Sequence, residues 1–300
     1  MTESTTTTEP TSIPVEVRGG TLAVFRYGPP APPERTVLAL HGITASSRCW
    51  PALARQLPDD WALVAVDLRG RGASRHLPGA GLDGHVGDLT TVLHAIDPDG
   101  TGQVTVLGHS MGAYVALLLA DHAPDAIGAL VLVDGGVPLP LPPDADPDEV
   151  LAATLGPALA RLSQTYPDAE AYVDFFRQHP ALGPHWSPDV ETYVRYDVLE
   201  VAGGVRSRAV EDAVRADGRD LLVMGDRLDA ALRGLSMPTS LLTAPLGMLG
   251  QPPGLVPEAA VAGYVADVEV LSADTIEGAN HYTIVLDSNH TARIAQAVTG

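Results

Sequence analysis

Four apolar runs rich in β-branched residues restrict what this chain can fold into. They are Thr36–Leu40 (TVLAL) and residues 62–67 (ALVAVD), 103–107 (QVTVL) and 129–134 (ALVLVD). A strand with one wet face alternates apolar and polar side chains. A run that stays apolar suits a strand buried on both faces of a parallel sheet. Helical patterns separate the runs, at residues 48–57, 82–96 and 111–122, and residues 21–27 (TLAVFRY) read as an earlier strand. This alternation predicts an α/β fold with a mostly parallel central sheet flanked by helices.

The alternation stops at residues 137–147 (VPLPLPPDADP), where the proline density blocks helix and central strand alike. Only helix-like stretches follow, at 147–162, 168–179, 188–200 and 210–235. Strand signals resume at Thr239–Thr243 (TSLLT) and 267–271 (DVEVL), and a helix closes the pattern near 289–298. The simplest organisation is a core made of residues 13–137 and 236–300, interrupted by a helical insert at 138–235. Residues 1–12 read as a disordered tail.

Charge narrows the partners. The net charge is −19, which repels phosphate backbones and anionic lipid headgroups, so no nucleic-acid partner is expected. All 18 basic residues are Arg, which removes Schiff-base lysines and a phosphate-loop lysine. The single cysteine, Cys49, can form neither an intrachain disulfide nor a thiolate metal site. The first ten residues lack the basic and apolar regions of a signal peptide, and no window approaches the ~18 apolar residues of a membrane span. A cytoplasmic protein without membrane insertion is the expectation.

Residues 108–112, Gly-His-Ser-Met-Gly, carry the chemistry. They match G-x-S-x-G directly after the strand QVTVL and directly before the helical run YVALLLADH. In that context the serine sits on a tight strand-to-helix turn, its hydroxyl raised above the sheet edge and the helix N-terminus aimed at it. The glycines allow the close approach this turn needs.

These features resemble the serine-dependent α/β-hydrolase superfamily over nearly the whole chain from about Val15. His41-Gly42-Ile43 after TVLAL is similar to the family's oxyanion-loop signature. Residues 67–74 (DLRGRGAS) resemble its D-x-R-G-x-G-x-S loop. His281, in Gly-Ala-Asn-His-Tyr, stands after the final strand, where the family places its catalytic histidine. The resemblance implies Ser110 as nucleophile and His281 as base, with the backbone N–H groups of Met111 and Ile43 as oxyanion donors. It implies an esterase- or lipase-like enzyme with a helical cap and no cofactor. The sequence departs from the commonest pattern in one place: residues 244–251 (APLGMLGQ), after TSLLT, hold no carboxylate. Some family members carry the acid one strand earlier, which points to Asp134. Glu258 is the main rival, with Asp226 and Asp229 behind it.

The insert holds much of the aromatic content. Phe175, Phe176, Tyr193 and Tyr196, together with Trp50 after the oxyanion loop, are the candidate pocket-lining residues. The reading is a serine hydrolase that cleaves a carboxylic ester of a small or medium apolar substrate through an acyl-enzyme. A lactonase or thioesterase of the same fold is the alternative, and a non-catalytic ligand-binding protein is the alternative from another class.

Overall fold

The structure, a computed structural model, describes residues 9–139 and 144–300. In chain order the strands are β1 (Thr11–Ser12), β2 (Val15–Val17), β3 (Gly20–Leu22), β4 (Val24–Tyr27), β5 (Thr36–Leu40), β6 (Ala62–Val66), β7 (Val104–His109), β8 (Ile127–Val133), β9 (Val198–Val201), β10 (Gly204–Ser207), β11 (Thr239–Thr243) and β12 (Leu271–Thr275). The helices are α1 (Pro51–Ala54), α2 (Gly81–Ile96), α3 (Met111–His122), α4 (Pro147–Ser163), α5 (Ala169–Arg177), α6 (Pro188–Tyr196), α7 (Glu211–Val223), α8 (Gly225–Arg233), α9 (Glu258–Asp267), α10 (Thr283–Leu286) and α11 (Ser288–Thr299).

One sheet of eight strands, in the order β1-β4-β6-β5-β7-β8-β11-β12, organises the molecule. From β6 to β12 every neighbour is parallel, while β1 and β4 add an antiparallel edge. Strand β5, apolar after Thr36, and the fully apolar β6 are buried at every residue, because helices cover both sheet faces. One apolar cluster packs α2, α3 and α8 on one face; a second packs Trp50, α10 and α11 on the other. Helix α3 buries ten of its twelve residues, which is why its sequence is apolar all round rather than on one stripe.

Several boundaries differ from the sequence reading. The expected tail reaches residue 12, yet Thr11 and Ser12 pair with Arg26 and Phe25 as β1, because the free edge of β4 takes up any extended segment beside it. Residues 1–8 of that tail lie outside the described residues, as do 140–143 of the proline-rich stretch. Residues 21–27 split into β3 and β4 at Ala23, whose carbonyl accepts the Asp67 N–H instead of continuing one ladder. The helix expected over 48–57 shrinks to the single turn α1, next to a 3-10 turn at Ser47–Cys49. The last strand is Leu271–Thr275, not 267–271. It is a largely exposed edge strand that needs no apolar run, and Val268 ends α9 by donating to the Tyr264 carbonyl.

The insert between β8 and β11 contains α4 to α8 but is not helical throughout. Helix α6 ends at Tyr196, and β9 and β10 form an antiparallel hairpin that pairs Val198 with Ser207. Side-chain caps fix three of its helix starts: Asp146 for α4, Asp168 for α5 and Ser187 for α6.

Candidate active site

The C-terminal ends of β5, β7 and β8 and the loop after β12 meet at one point. There Ser110 follows β7 at φ 54°, ψ −124°, outside the usual regions for an L-residue. The turn is held by its surroundings: the Ser110 N–H donates to the Val133 carbonyl at 2.9 Å, and the Ser110 carbonyl accepts from Ala113 at 2.9 Å. Gly112 is required here, since a Cβ would come 2.2 Å from the Leu40 carbonyl oxygen.

Asp134 directly follows β8 in the left-handed region, φ 46°, which aspartate tolerates better than most residues. Its N–H donates to the Leu242 carbonyl at 2.7 Å, and its Oδ1 accepts the Ala244 N–H at 3.1 Å. Its Oδ2 lies 2.6 Å from His281 Nδ1, and the side chain is fully buried. The carboxylate can only accept, so Nδ1 carries the imidazole proton. The other ring nitrogen, Nε2, is then free to accept from Ser110 Oγ at 3.0 Å. A hydroxyl facing a base that a buried carboxylate orients is an arrangement that can activate a nucleophile.

The loop holding His281 is fixed from three sides. Its N–H donates to the Leu246 carbonyl at 3.1 Å, and its carbonyl accepts from His109 Nε2 at 2.8 Å. Next to it, Asn280 Nδ2 reaches the Ala181 carbonyl in the insert at 2.9 Å. The stretch after β11 that lacks a carboxylate therefore still serves the site, as a strip against the histidine loop. The rivals stand apart: Glu258 and Asp226 are exposed, and Asp229 is engaged by Tyr264 and Arg233.

Met111 and Ile43, the expected oxyanion donors, both line the space over Ser110. Met111 opens α3, where a helix leaves its first N–H groups without intrahelical partners. The Ile43 N–H shares a peptide with the Gly42 carbonyl. That carbonyl accepts from His41 Nδ1 at 2.7 Å and from the Ala45 N–H at 3.0 Å. A planar trans peptide points the Ile43 N–H the opposite way. His41 is fully buried, its Nε2 accepts the Leu68 N–H at 3.1 Å, and burial pushes its pKa down to about 4 against the opposing pull of Asp67. Burial also holds His109 well below its ordinary value.

These two rings make the fold acid-sensitive. An imidazole whose folded pKa is depressed is protonated more readily when unfolded, so stability is complete above about pH 6.5 and is lost as pH falls towards 4. For His41 alone the loss is roughly 3 kcal/mol across that window. Melting temperature is expected to drop steeply between pH 6.5 and 4.5, and more shallowly in His41→Gln. A flat profile for the natural chain over that range would contradict this account.

A cavity of about 330 Å³ opens over Ser110 and His281. No Asp, Glu or Arg lines it among the described residues. Of the five side chains expected to line it, Tyr193 does. Trp50 does not: it is fully buried in the core beneath α1. Phe176 turns inward onto Tyr172, with ring centroids 5.3 Å apart, and Phe175 is 38% exposed on the outer face. Tyr196 spends its hydroxyl on Asp67 Oδ2 at 2.6 Å, anchoring the insert to the core. The sequence reading missed the aliphatic wall. Leu151 and Leu155 of α4 and Leu221 and Leu222 of α7 supply it. The i, i+4 spacing of Leu151 and Leu155 was the available signal. Among the described residues no group of three or more His, Cys, Asp or Glu is placed to hold a metal ion, and no helix is long and apolar enough to cross a membrane.

Comparison with known proteins agrees with this fold. The model of the alpha/beta hydrolase family matches residues 37–297. The lipase LipV of Mycobacterium tuberculosis is 42% identical over 118 residues, 39% of this chain and 43% of the lipase. The chain thus spans less than half the length of that relative, and 31% of a serine hydrolase-like protein of Danio rerio that is 35% identical over 107 residues. A pimeloyl-[acyl-carrier protein] methyl ester esterase of Neisseria meningitidis is 28% identical over 199 residues, 65% of this chain and 70% of the esterase. Among solved structures, E-2-(acetamidomethylene)succinate hydrolase superposes with TM-score 0.74 at 25% identity, covering 95% of this chain and 97% of that one. A thioesterase domain from the curacin biosynthetic pathway gives TM-score 0.74 at 22% identity, covering 96% and 100%.

Proposed function

Since this chain belongs to the alpha/beta hydrolase family, we propose that it is a serine hydrolase cleaving carboxylic esters of small or medium apolar substrates. The observation that carries the reading is the run from Ser110 Oγ through His281 to the buried Asp134, at 3.0 and 2.6 Å, beneath an uncharged cavity.

Ser110 Oγ attacks the ester carbonyl as His281 Nε2 takes its proton. The negative oxygen of the tetrahedral intermediate takes hydrogen bonds from the Met111 and Ile43 N–H groups. His281 returns the proton to the leaving alcohol, and water releases the acyl group by the same steps. Asp134 keeps the imidazole in the tautomer that can accept, and it stabilises the imidazolium. No step needs a cofactor. The insert acts as the cap, its α4 and α7 closing the cavity with aliphatic side chains that favour an uncharged acyl or alcohol group.

The test is turnover of p-nitrophenyl esters of increasing acyl length, with the site of labelling by a fluorophosphonate mapped by mass spectrometry. Hydrolysis that peaks at a short or medium chain, with the label on Ser110, is expected. Label on Ser110 with turnover of lactones or thioesters instead would shift the substrate class. Ligand binding with neither label nor turnover would make the protein a receptor.

A further inference from the structure

Arg71, Asp217 and His85 form a charged cluster in the interior that the proposed reaction does not use. Arg71 and Asp217 have no exposed side-chain surface, and His85 has 1%. Arg71 Nη1 lies 2.5 Å from Asp217 Oδ2, and His85 Nε2 lies 3.0 Å from the same oxygen. Asp217 Oδ1 and His85 Nδ1 find no hydrogen-bond partner among the described residues. Burial alone would raise the Asp217 pKa; the attraction and hydrogen bonds of the neighbouring Arg71 and His85 side chains outweigh it and hold the carboxyl below its ordinary value.

Such a cluster is a poor way to gain stability. Desolvating two charges offsets much of their attraction, and apolar side chains of similar volume often serve as well. What distinguishes this one is what it holds. Arg71 Nε donates to the Ile43 carbonyl at 2.9 Å, Nη1 also donates to the Arg69 carbonyl at 2.8 Å, and Nη2 reaches the Met111 sulfur at 4.0 Å. One guanidinium therefore contacts both residues whose N–H groups are the proposed oxyanion donors. Its counter-charge comes from the insert, on α7.

Helix α7 is seated tightly on the loop that carries Arg71. The Val210 N–H, just before the helix, donates to the Gly70 carbonyl at 2.8 Å, and Asp220 Oδ2 accepts the Leu82 N–H at 2.9 Å. A Cβ on Gly70 would lie 2.5 Å from Ala213 Cβ, so only glycine permits this approach.

The geometry points to Arg71 and Asp217 as positioning residues for the oxyanion hole, so that the insert is part of the catalytic apparatus and not only a substrate cover. Asp217 fixes the guanidinium plane, and the planar fork transmits that orientation to the Ile43 carbonyl. This inference rests on the hydrolase reading above.

The test is the double variant Arg71→Met, Asp217→Leu, which removes both charges together and leaves neither stranded. It is expected to fold, with kcat down about 10–100-fold and KM within about 3-fold, as for loss of an interaction made only in the transition state. The inhibition constant of an alkyl trifluoromethyl ketone, whose serine adduct carries the oxyanion, should weaken by the same factor as kcat/KM. Binding of uncleaved ester, measured in a Ser110→Ala background, should stay unchanged. A folded double variant with natural kcat and natural ketone affinity overturns the inference, as does a loss that falls on ester binding alone. Should the double variant not fold, Arg71→Lys decides. It retains a charge for Asp217 but lacks the fork, so kcat should remain low; full recovery of kcat would sink the inference. If the natural chain shows no Ser110-dependent turnover, it is the hydrolase reading that falls, and the two failures are thereby distinguishable.

Discussion

Ser110→Ala is expected to lower kcat on the best p-nitrophenyl ester by about 10⁵-fold or more, leaving only what binding and the oxyanion donors contribute. The change removes Oγ and its 3.0 Å hydrogen bond to His281, and little else. The backbone bonds that hold the turn, from Ser110 to Val133 and from Ala113 to Ser110, do not involve the side chain. Melting temperature should therefore move by a few degrees at most, and substrate should still bind. Titrating the variant with a slowly cleaved ester, alongside a rate assay, separates the two. Full binding without turnover supports the nucleophile assignment. Turnover within 10-fold of the natural chain would remove Ser110 from the chemistry.

The second large effect is expected at the acid. Asp134→Asn should reduce kcat by about 10⁴-fold while the fold survives. Asparagine accepts the φ of 46° as readily as aspartate does. The direction of the loss follows from the neighbouring strand. The Ala244 N–H donates to Oδ1 at 3.1 Å and still needs an oxygen in the variant. The amide must then turn its NH₂ toward His281 Nδ1. That nitrogen becomes an acceptor, the ring proton moves to Nε2, and Nε2 can no longer take the serine proton. Glu258→Gln, on an exposed helix, should leave kcat within about 2-fold. The reverse pattern, an active Asp134→Asn and a dead Glu258→Gln, would transfer the acid's role to Glu258.

The parts of the fold legible in the sequence are those where one physical demand dominates. Burial on both faces forces the apolar runs of β5, β6 and β8, and a strand-turn-helix with glycine at 112 leaves few alternatives to the elbow around Ser110. Legibility fails where competing demands are met at a distance. The edge strand β12 carries LSADT, with its three middle residues exposed. The β9–β10 hairpin forms around Val205, which also pairs with Tyr166, a contact invisible in local pattern. Aromatic composition misled in a similar way: Trp50 and Phe176 satisfy the core before the cavity can claim them. Arg71 reads as a turn residue between two glycines. The arrival of α7 from the insert gives its guanidinium a carboxylate, Asp217.

The order of strands along the chain also sets the order in which a growing chain can assemble the sheet. Six of the eight sheet strands, β1 to β8 apart from the small β2–β3 hairpin, are synthesised before the insert begins and can pair as they emerge. Ser110 and Asp134 are then already synthesised, but the Leu242 and Ala244 contacts that hold Asp134 come only with β11. His281 is made only after the insert, β11 and β12, and its loop docks on Leu246 and His109. A nascent chain on the ribosome thus carries a serine with no base beside it. In the proposed reaction, competence would wait for the chain after β12, which also supplies Tyr282, Val285 and Leu286 to the cavity wall.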